Sequence, residues 1–399
     1  MYTRPDYTTA RAHAGFSWHV GSSQGALRAM AGIPIREFNL DVAACAEAYR
    51  CGRLRQREVF GDQVGQYPLL TPAISYGHVN CLGSELLFPE GGEVGHTHIY
   101  ASLAAGVAAL AQPVDWLTTG LAPFYLRFRD ELQQHFPEEP VRWCFGSEGP
   151  LTTAYELRGD GFFMDIYDDP PLAHEFLRRV VDSVLDFDRA YAAVNGQPFP
   201  NPAGGGLCDD VASFIPPRLF PEFVLPYWEQ LFRGVTAGTR SAHVEDLRPE
   251  QLPFLEEIGL SHFDPSISPR LTPPILAAGC RVPFTWRLES FHLREMDEQE
   301  TEDFVFIAAA DGASGVSFTL GETSCAEASV GKVQAFIRAG QEAQRLLGAG
   351  GGREELRQRA SAAGRARLWD GWCGFLGPAS TRGGCRRDDA PQGMKAAGT

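Results

Sequence analysis

Ser241-Ala242-His243-Val244-Glu245-Asp246 is the stretch on which the reading of this 399-residue chain turns. It closes a β-like run, 240–244, and side chains alternate across a strand, so His243 and Glu245 project to the same face. A helix-like stretch at 249–258 follows and closes near a glycine, and a second short β-like run occupies 261–263. Strand, helix, strand, with metal-binding residue types at the end of the first strand, is the local signature of a parallel α/β unit with a site at its mouth.

The same alternation extends in both directions. Further β-like runs lie at 69–75, 85–88, 141–145, 205–208, 281–288 and 315–320. Helix-like runs lie between several of them. The run 172–194 begins after Pro170-Pro171 and stops at Asn195-Gly196, and 219–235 and 298–310 behave likewise. Strand then helix, repeated about eight times, predicts an α/β fold, a single TIM-like (β/α)8 barrel over residues 66–347. A doubly wound open sheet is the alternative, but no Gly-x-Gly-x-x-Gly or Walker-type loop supports it, and Gly204-Gly205-Gly206 precedes a strand instead of leading into a helix. Residues 1–65 read as an N-terminal helical extension. Composition shifts at Gly348-Ala349-Gly350-Gly351-Gly352, and 348–399, rich in Gly, Arg and Ala, reads as a flexible tail dispensable for folding, with Trp369, Trp372 and Phe375 the candidates for docking on the barrel or on a second subunit.

Composition narrows the function. The chain is 44% hydrophobic and 21% charged, with a formal net charge of -15. Nucleic acid or an anionic membrane as main partner would need a basic face, so a small-molecule substrate is expected. The apolar stretch 101–111 is too short to span a bilayer, and Met1-Tyr2-Thr3-Arg4-Pro5-Asp6 has no apolar signal region. Nine cysteines scattered without Cys-x-x-Cys pairs fit reduced thiols and a cytoplasmic location. A homodimer is compatible with such a chain.

In a barrel of this kind the C-terminal strand ends line the active site. Those positions hold Tyr76 and His78, Ser147 and Glu148, Asp209 and Asp210, His243, Glu245 and Asp246, Asp264, Arg287 and Glu289, then Glu322 and Cys325. Taken singly, each carboxylate reads as a helix cap or solvated loop residue; together they form a dense polar ring. His243 and Glu245 supply two ligands of a three-ligand zinc site, and Cys325, after the last β-like run, is the natural third. A buried core cysteine is the alternative reading of Cys325. His96-Thr97-His98 sits in a Gly-rich stretch and reads as a surface loop.

The motifs carry a resemblance. Gly149-Pro150-Leu151-Thr152-Thr153-Ala154-Tyr155, then Asp209-Asp210-Val211-Ala212-Ser213 through Pro216 to Pro226-Tyr227, then Thr319-Leu320-Gly321-Glu322 resemble, in that order, the uroporphyrinogen decarboxylase superfamily. The likeness runs from about Pro68 to Leu347. The superfamily also contains zinc-dependent methyltransferases acting on corrinoids and thiols. The arginine-bearing N-terminal segment of true decarboxylases is absent, Ile74 stands where they carry an aspartate, and Glu322 replaces their histidine. Only Tyr155 matches a decarboxylase site residue. In the methyltransferase branch a His-x-Cys pair and a later Cys bind zinc; His243 and Cys325 match, and Glu245 replaces the first cysteine.

The resemblance therefore implies a zinc-dependent methyltransferase more than a tetrapyrrole decarboxylase. Zinc on His243, Glu245 and Cys325 would activate a thiol or hydroxyl acceptor, and a corrinoid on a partner protein would be the methyl donor. Tyr155, Asp210 and Glu322 are the expected catalytic groups, and Tyr76, Asp209, Arg287 and Glu289 the expected substrate contacts. The alternatives are a metal-free lyase or decarboxylase on a small carboxylated substrate, with Arg287 holding the carboxylate, and a barrel that binds a ligand without catalysis.

Overall fold

The structure is a computed structural model that describes residues 2–89, 93–266, 268–321, 324, 326–370 and 372. Its strands are β1 (Ser17–Gly21), the short β2 (Leu86–Leu87) and β3 (Gly95–His96), then β4 (Gly204–Cys208), β5 (Thr239–His243), β6 (His262–Asp264), β7 (Thr285–Leu288) and β8 (Gly315–Thr319). β4, β5 and β6 form one parallel sheet, and β7, β8 and β1 another. A parallel bridge between Phe263 and Phe284 joins them, so six strands run in the order β4-β5-β6-β7-β8-β1.

Two further extended segments pair in parallel through bridges Leu70–Arg142 and Ile74–Phe145. They are tied to both ends of the six-strand run. On one side the Gln24 side chain donates to the Thr71 carbonyl at 2.9 Å and accepts from the Ala73 N–H at 2.8 Å. On the other, Gly149 N–H donates to the Cys208 carbonyl. The connections carry helices, among them Pro150–Arg158, Pro170–Val194, Leu225–Val235, Pro253–Glu257, Pro273–Gly279 and Glu298–Ala310. This is an α/β architecture with parallel sheets, as the alternating runs predict. No described helix is long and apolar enough to cross a membrane.

The strands present two unlike faces. Outward residues bury against helices: Trp18 on β1 donates to Gln344 at 3.2 Å, Arg240 on β5 pairs with Glu229, and Trp286 on β7 meets Trp369. Inward positions on the six strands are polar or glycine, as with Ser17 and His19, Ser241 and His243, or Ser317 and Thr319. Apolar residues at alternate positions on one face only are what a strand covered on one side requires.

Three expectations change. Residues 1–65 are not wholly an extension, because β1 lies inside them and pairs with β8 over five residues, Ser17 to Gly21. Its inward face carries Ser17, His19 and Gly21, so no apolar run announces it. The run at 85–88 joins no parallel sheet; Leu86 and Leu87 pair antiparallel with His96 and Gly95 in a hairpin.

The segment after Gly352 is also packed as far as it is described. Helices Arg353–Arg359 and Ala362–Arg367 follow, with Leu356 fully buried. Ser361 donates through its N–H and hydroxyl to Asp303, and Trp369 donates to Asp311 at 2.6 Å. Trp372 stacks on His292 with ring centres 4.6 Å apart. The glycines break the preceding helix without ending the fold, because the tryptophans bury enough apolar area to hold the segment down.

Candidate functional site

β5 ends in His243, at the C-terminal edge of the parallel sheet. Its Nδ1 lies 3.0 Å from Asp264 Oδ2, at the end of neighbouring β6, where the register sets Asp264 directly beside it. Its Nε2 faces the other way, 3.8 Å from Asp210 Oδ1 and 3.9 Å from Glu245 Oε1. Asp210 follows β4, whose Cys208 is the register partner of His243. Glu245 N–H donates to Asp210 at 2.8 Å, which fixes the two carboxylates relative to each other. Ligand atoms of Asp210, His243 and Glu245 all lie within 4.8 Å of one another, the one such trio among the described residues.

Asp264 is itself clamped. Arg287 on β7 donates to its Oδ2, and Ser266 N–H donates to its Oδ1 at 2.9 Å. Burial alone would raise Asp264, but the His243 hydrogen bond and the Arg287 charge outweigh it and hold the carboxyl below its ordinary range. His243 moves the opposite way: burial acts to lower it, and the bond to Asp264 with the charges of Asp264 and Asp210 raises it on balance. Glu245 is raised by burial and by Asp210, while the Ser266 hydroxyl, donating at 2.8 Å, pulls it back.

Asp246 and Ser266 are the only described residues other than glycine with positive φ, +56° and +44°. Both sit next to a site carboxylate. For a serine such a backbone is uncommon and strained, and it is kept here where its hydroxyl and N–H tie Glu245 to Asp264. Nothing in the sequence around Ser266 announces it.

A second group faces the trio. Glu148 follows the 141–145 segment, and its carboxyl is pushed up to about 7, by burial first and then by Asp210 and Asp209, against the Ser75 hydroxyl. Behind it Glu156 is buried at 2% exposure and held well above the carboxylate range by burial, Glu148 and Asp209. Tyr76 shares these neighbours, its phenol raised to about 12 by burial and by Glu156 and Glu148. Its ring lies 4.5 Å from His96, and contacts continue through His98, Tyr155 and Phe163 to the exposed Phe214. The His96–His98 loop is thus part of an aromatic wall that runs from Tyr76 outward.

The expected site residues separate as follows. His243 and Glu245 come together, and Asp210, expected as a catalytic group, joins them as a third ligand-type side chain. Glu322 and Cys325 lie outside the described residues. Asp209, expected as a substrate contact, is fully buried, and its oxygens accept from Trp228, Thr152 N–H and Leu151 N–H. It anchors the N-terminus of helix Pro150–Arg158, where Gly149 is required because a Cβ there would sit 2.5 Å from that of Asp209. Arg287 is committed to Asp264 and, at 3.6 Å, to Glu289, so it organises the wall of the site. Tyr155 stands in the aromatic wall, 5.2 Å from His98.

Comparison with solved structures gives a likeness of fold. A methyltransferase from Methanosarcina mazei matches with a TM-score of 0.59 at 17% sequence identity, over 86% of this chain and 99% of that one. A B12-independent methionine synthase from Shewanella sp. W3-18-1, in complex with selenomethionine, matches with a TM-score of 0.42 at 12% identity, over 77% of this chain and 90% of its own. No protein-family model matches the chain, and no curated protein does.

Proposed function

We propose that the chain is a metal-dependent methyltransferase on a (β/α)8 barrel of the uroporphyrinogen decarboxylase superfamily, acting on a thiol or hydroxyl acceptor. The carrying observation is the orientation of His243. Asp264 takes its Nδ1 side, which leaves Nε2 turned to Asp210 and Glu245. A ligating histidine characteristically gives its other ring N–H to a carboxylate, which fixes its tautomer and direction. One imidazole with two carboxylates suits zinc or a neighbouring divalent ion, so the donor set fits. A bound zinc would supply Lewis acidity that lowers the pKa of the acceptor.

The chain's own groups do the rest. Arg287 and Ser266 hold Asp264, and through it His243. Glu148, titrating near neutrality beside Asp210, takes up the proton that the acceptor releases. The aromatic wall from Tyr76 to Tyr155 bounds the substrate. The fold likeness to the Methanosarcina mazei methyltransferase agrees with this reading, and the corrinoid-carrying donor and the roles of Glu322 and Cys325 rest on the sequence resemblance. The six-strand parallel run, the bridged pair and the bonds at both junctions support closure into a barrel. A metal-free lyase needs Arg287 for a substrate carboxylate, and its pairing with Asp264 and Glu289 speaks for the metal reading instead.

Metal analysis after purification with zinc, manganese and iron supplied tests the proposal, together with methyl transfer from methylcobalamin to a simple thiol. One metal per chain is expected, lost in His243→Ala and reduced in Asp210→Asn. Cys325→Ser assayed beside them decides whether the thiol is a further ligand. A wild-type protein that takes up no metal under these conditions rules the mechanism out.

A further inference from the structure

Barrel interiors are ordinarily filled by layers of Val, Ile and Leu. Here the inward positions of the six-strand run hold no aliphatic side chain. β4 turns Gly206 and Cys208 inward, both exposed, and β5 turns Thr239, Ser241 and His243. β6 and β7 contribute His262, Asp264, Thr285 and Arg287, and β1 and β8 continue the pattern with hydroxyl, imidazole and glycine positions. An open cavity of about 430 Å³ lies beneath the metal-type trio, lined by Gly206, Cys208, Ser241, His243, His262 and Asp264. That volume is within the range of small-molecule sites.

The lining specifies what fits. Among the described lining residues Asp264, at the top, is the one carboxylate, and its oxygens already serve His243, Arg287 and Ser266. Below it the polar side-chain atoms belong to Cys208, Ser241 and His262, none with a fixed charge, and Gly206, Leu207 and Ala242 complete the lining. The Ser241 hydroxyl makes one long contact, 3.5 Å to the Gly205 carbonyl, and His262 meets the Thr285 hydroxyl at 3.0 Å. Among the described residues no arginine or lysine side chain lines the cavity to pair with an anion, and no free carboxylate lines it to pair with an ammonium group. Glu148, Asp209 and Asp210, whose charges reach Cys208, further oppose an anion.

We propose that the bore beneath His243 is a subsite for a neutral, hydroxyl-bearing arm of the substrate, with the reacting end at the trio above it. The subsite deepens the proposed function and rests on its barrel, but not on its metal. The geometry also indicates how to close it. A Cβ added at Gly206 would meet Ser241 Oγ at 3.1 Å, so a larger side chain at either position fills the space between β4 and β5.

Saturation-transfer NMR with xylitol as probe, against glutarate and 1,5-diaminopentane as charged controls of similar length, tests the assignment. Xylitol should bind saturably, with Kd on the order of a millimolar, and the controls more weakly. Ser241→Leu and Gly206→Val should each weaken xylitol by about tenfold or more. Thr285→Val, which removes a hydroxyl without adding bulk, should weaken it less, and circular dichroism of all three establishes that they fold. Absence of saturable xylitol binding, a charged control that binds better, or affinity unchanged in the folded Ser241 and Gly206 variants overturns the proposal. Metal content is measured on the same samples, so loss of the metal reading and loss of the subsite register separately.

Discussion

Ser266 holds a backbone φ of +44° while its hydroxyl reaches Glu245 and its N–H reaches Asp264. A left-handed conformation costs an L-residue about 1–2 kcal/mol relative to glycine. Ser266→Gly should therefore leave the thermal midpoint unchanged or raised, while loss of the hydroxyl weakens metal binding by about 10- to 100-fold, as removal of outer-sphere partners does. Competition with a fluorescent zinc chelator reads the second effect; equal affinity in both proteins would show that Ser266 does not serve the site. Glu148 makes a prediction of the opposite kind. Its carboxyl is raised from 4.5 to about 7, by burial first. Below pH 4.5 both folded and unfolded chains hold this proton. Between there and pH 7 only the folded chain does, so the stability this group contributes is present at low pH and lost as pH rises through 7. Relative to wild type, Glu148→Gln should gain on the order of 3 kcal/mol between pH 4 and pH 8, read by urea unfolding at both. A pH-independent difference would place Glu148 in water. Neither residue's role was visible in the sequence. Glu148 stood only as one strand-end acid among many, and the strain at Ser266 arises from a loop whose path depends on β5 and β6 lying side by side.

The strands were legible where both faces left a trace. β4 through β8 fall within or beside the runs 205–208, 240–244, 261–263, 281–288 and 315–320, because buried outward residues such as Leu207, Ala242, Phe263, Trp286 and Phe318 alternate there with polar ones. β1 obeys the same rule with Trp18 and Val20, but it lies far from the other strands in sequence, among helices, and pairs with β8 across the whole chain. At 85–88 the apolar pair Leu86-Leu87 suffices for a hairpin and not for a sheet strand. The C-terminal helices make the element-scale prediction. Truncation after Gly352 removes Leu356, Trp369 and Trp372 and uncovers Trp286 and Phe304, which the two tryptophans contact. At about 1.5–3 kcal/mol per large apolar side chain lost, the midpoint of thermal unfolding should fall on the order of 5–10 °C. Trp372 also stacks on His292, which caps the turn carrying Glu289, so the truncated protein should lose activity at temperatures where it is still folded. An unchanged midpoint would return the segment to the dispensable tail that its composition predicts.

At the scale of the molecule, the trio is assembled from parts that no local pattern joins. His243 and Glu245 share one stretch, and their common direction follows from strand alternation. Asp210 reaches them only because β4 and β5 pair with Cys208 beside His243, a register fixed by the whole sheet. Metal binding should then act on the fold as well as on the chemistry, since it would tie the loops after β4 and β5 to each other in the native state alone. An ion that binds only the native state stabilises by RT ln(1 + [L]/Kd), about 2.7 kcal/mol at a hundredfold excess over Kd. With the unfolding entropy of a chain of this size, that should raise the thermal midpoint by a few degrees. Differential scanning calorimetry of metal-stripped protein, with zinc, manganese or magnesium returned in steps, measures it. Zinc should raise the midpoint further than magnesium, because an imidazole ligand favours the softer ion. His243→Ala should abolish the rise, and Asp264→Asn should diminish it by releasing the imidazole that Asp264 orients. A rise that magnesium matches, or that survives in His243→Ala, would locate the stabilising ion among surface carboxylates of this acidic chain and remove the trio as its site.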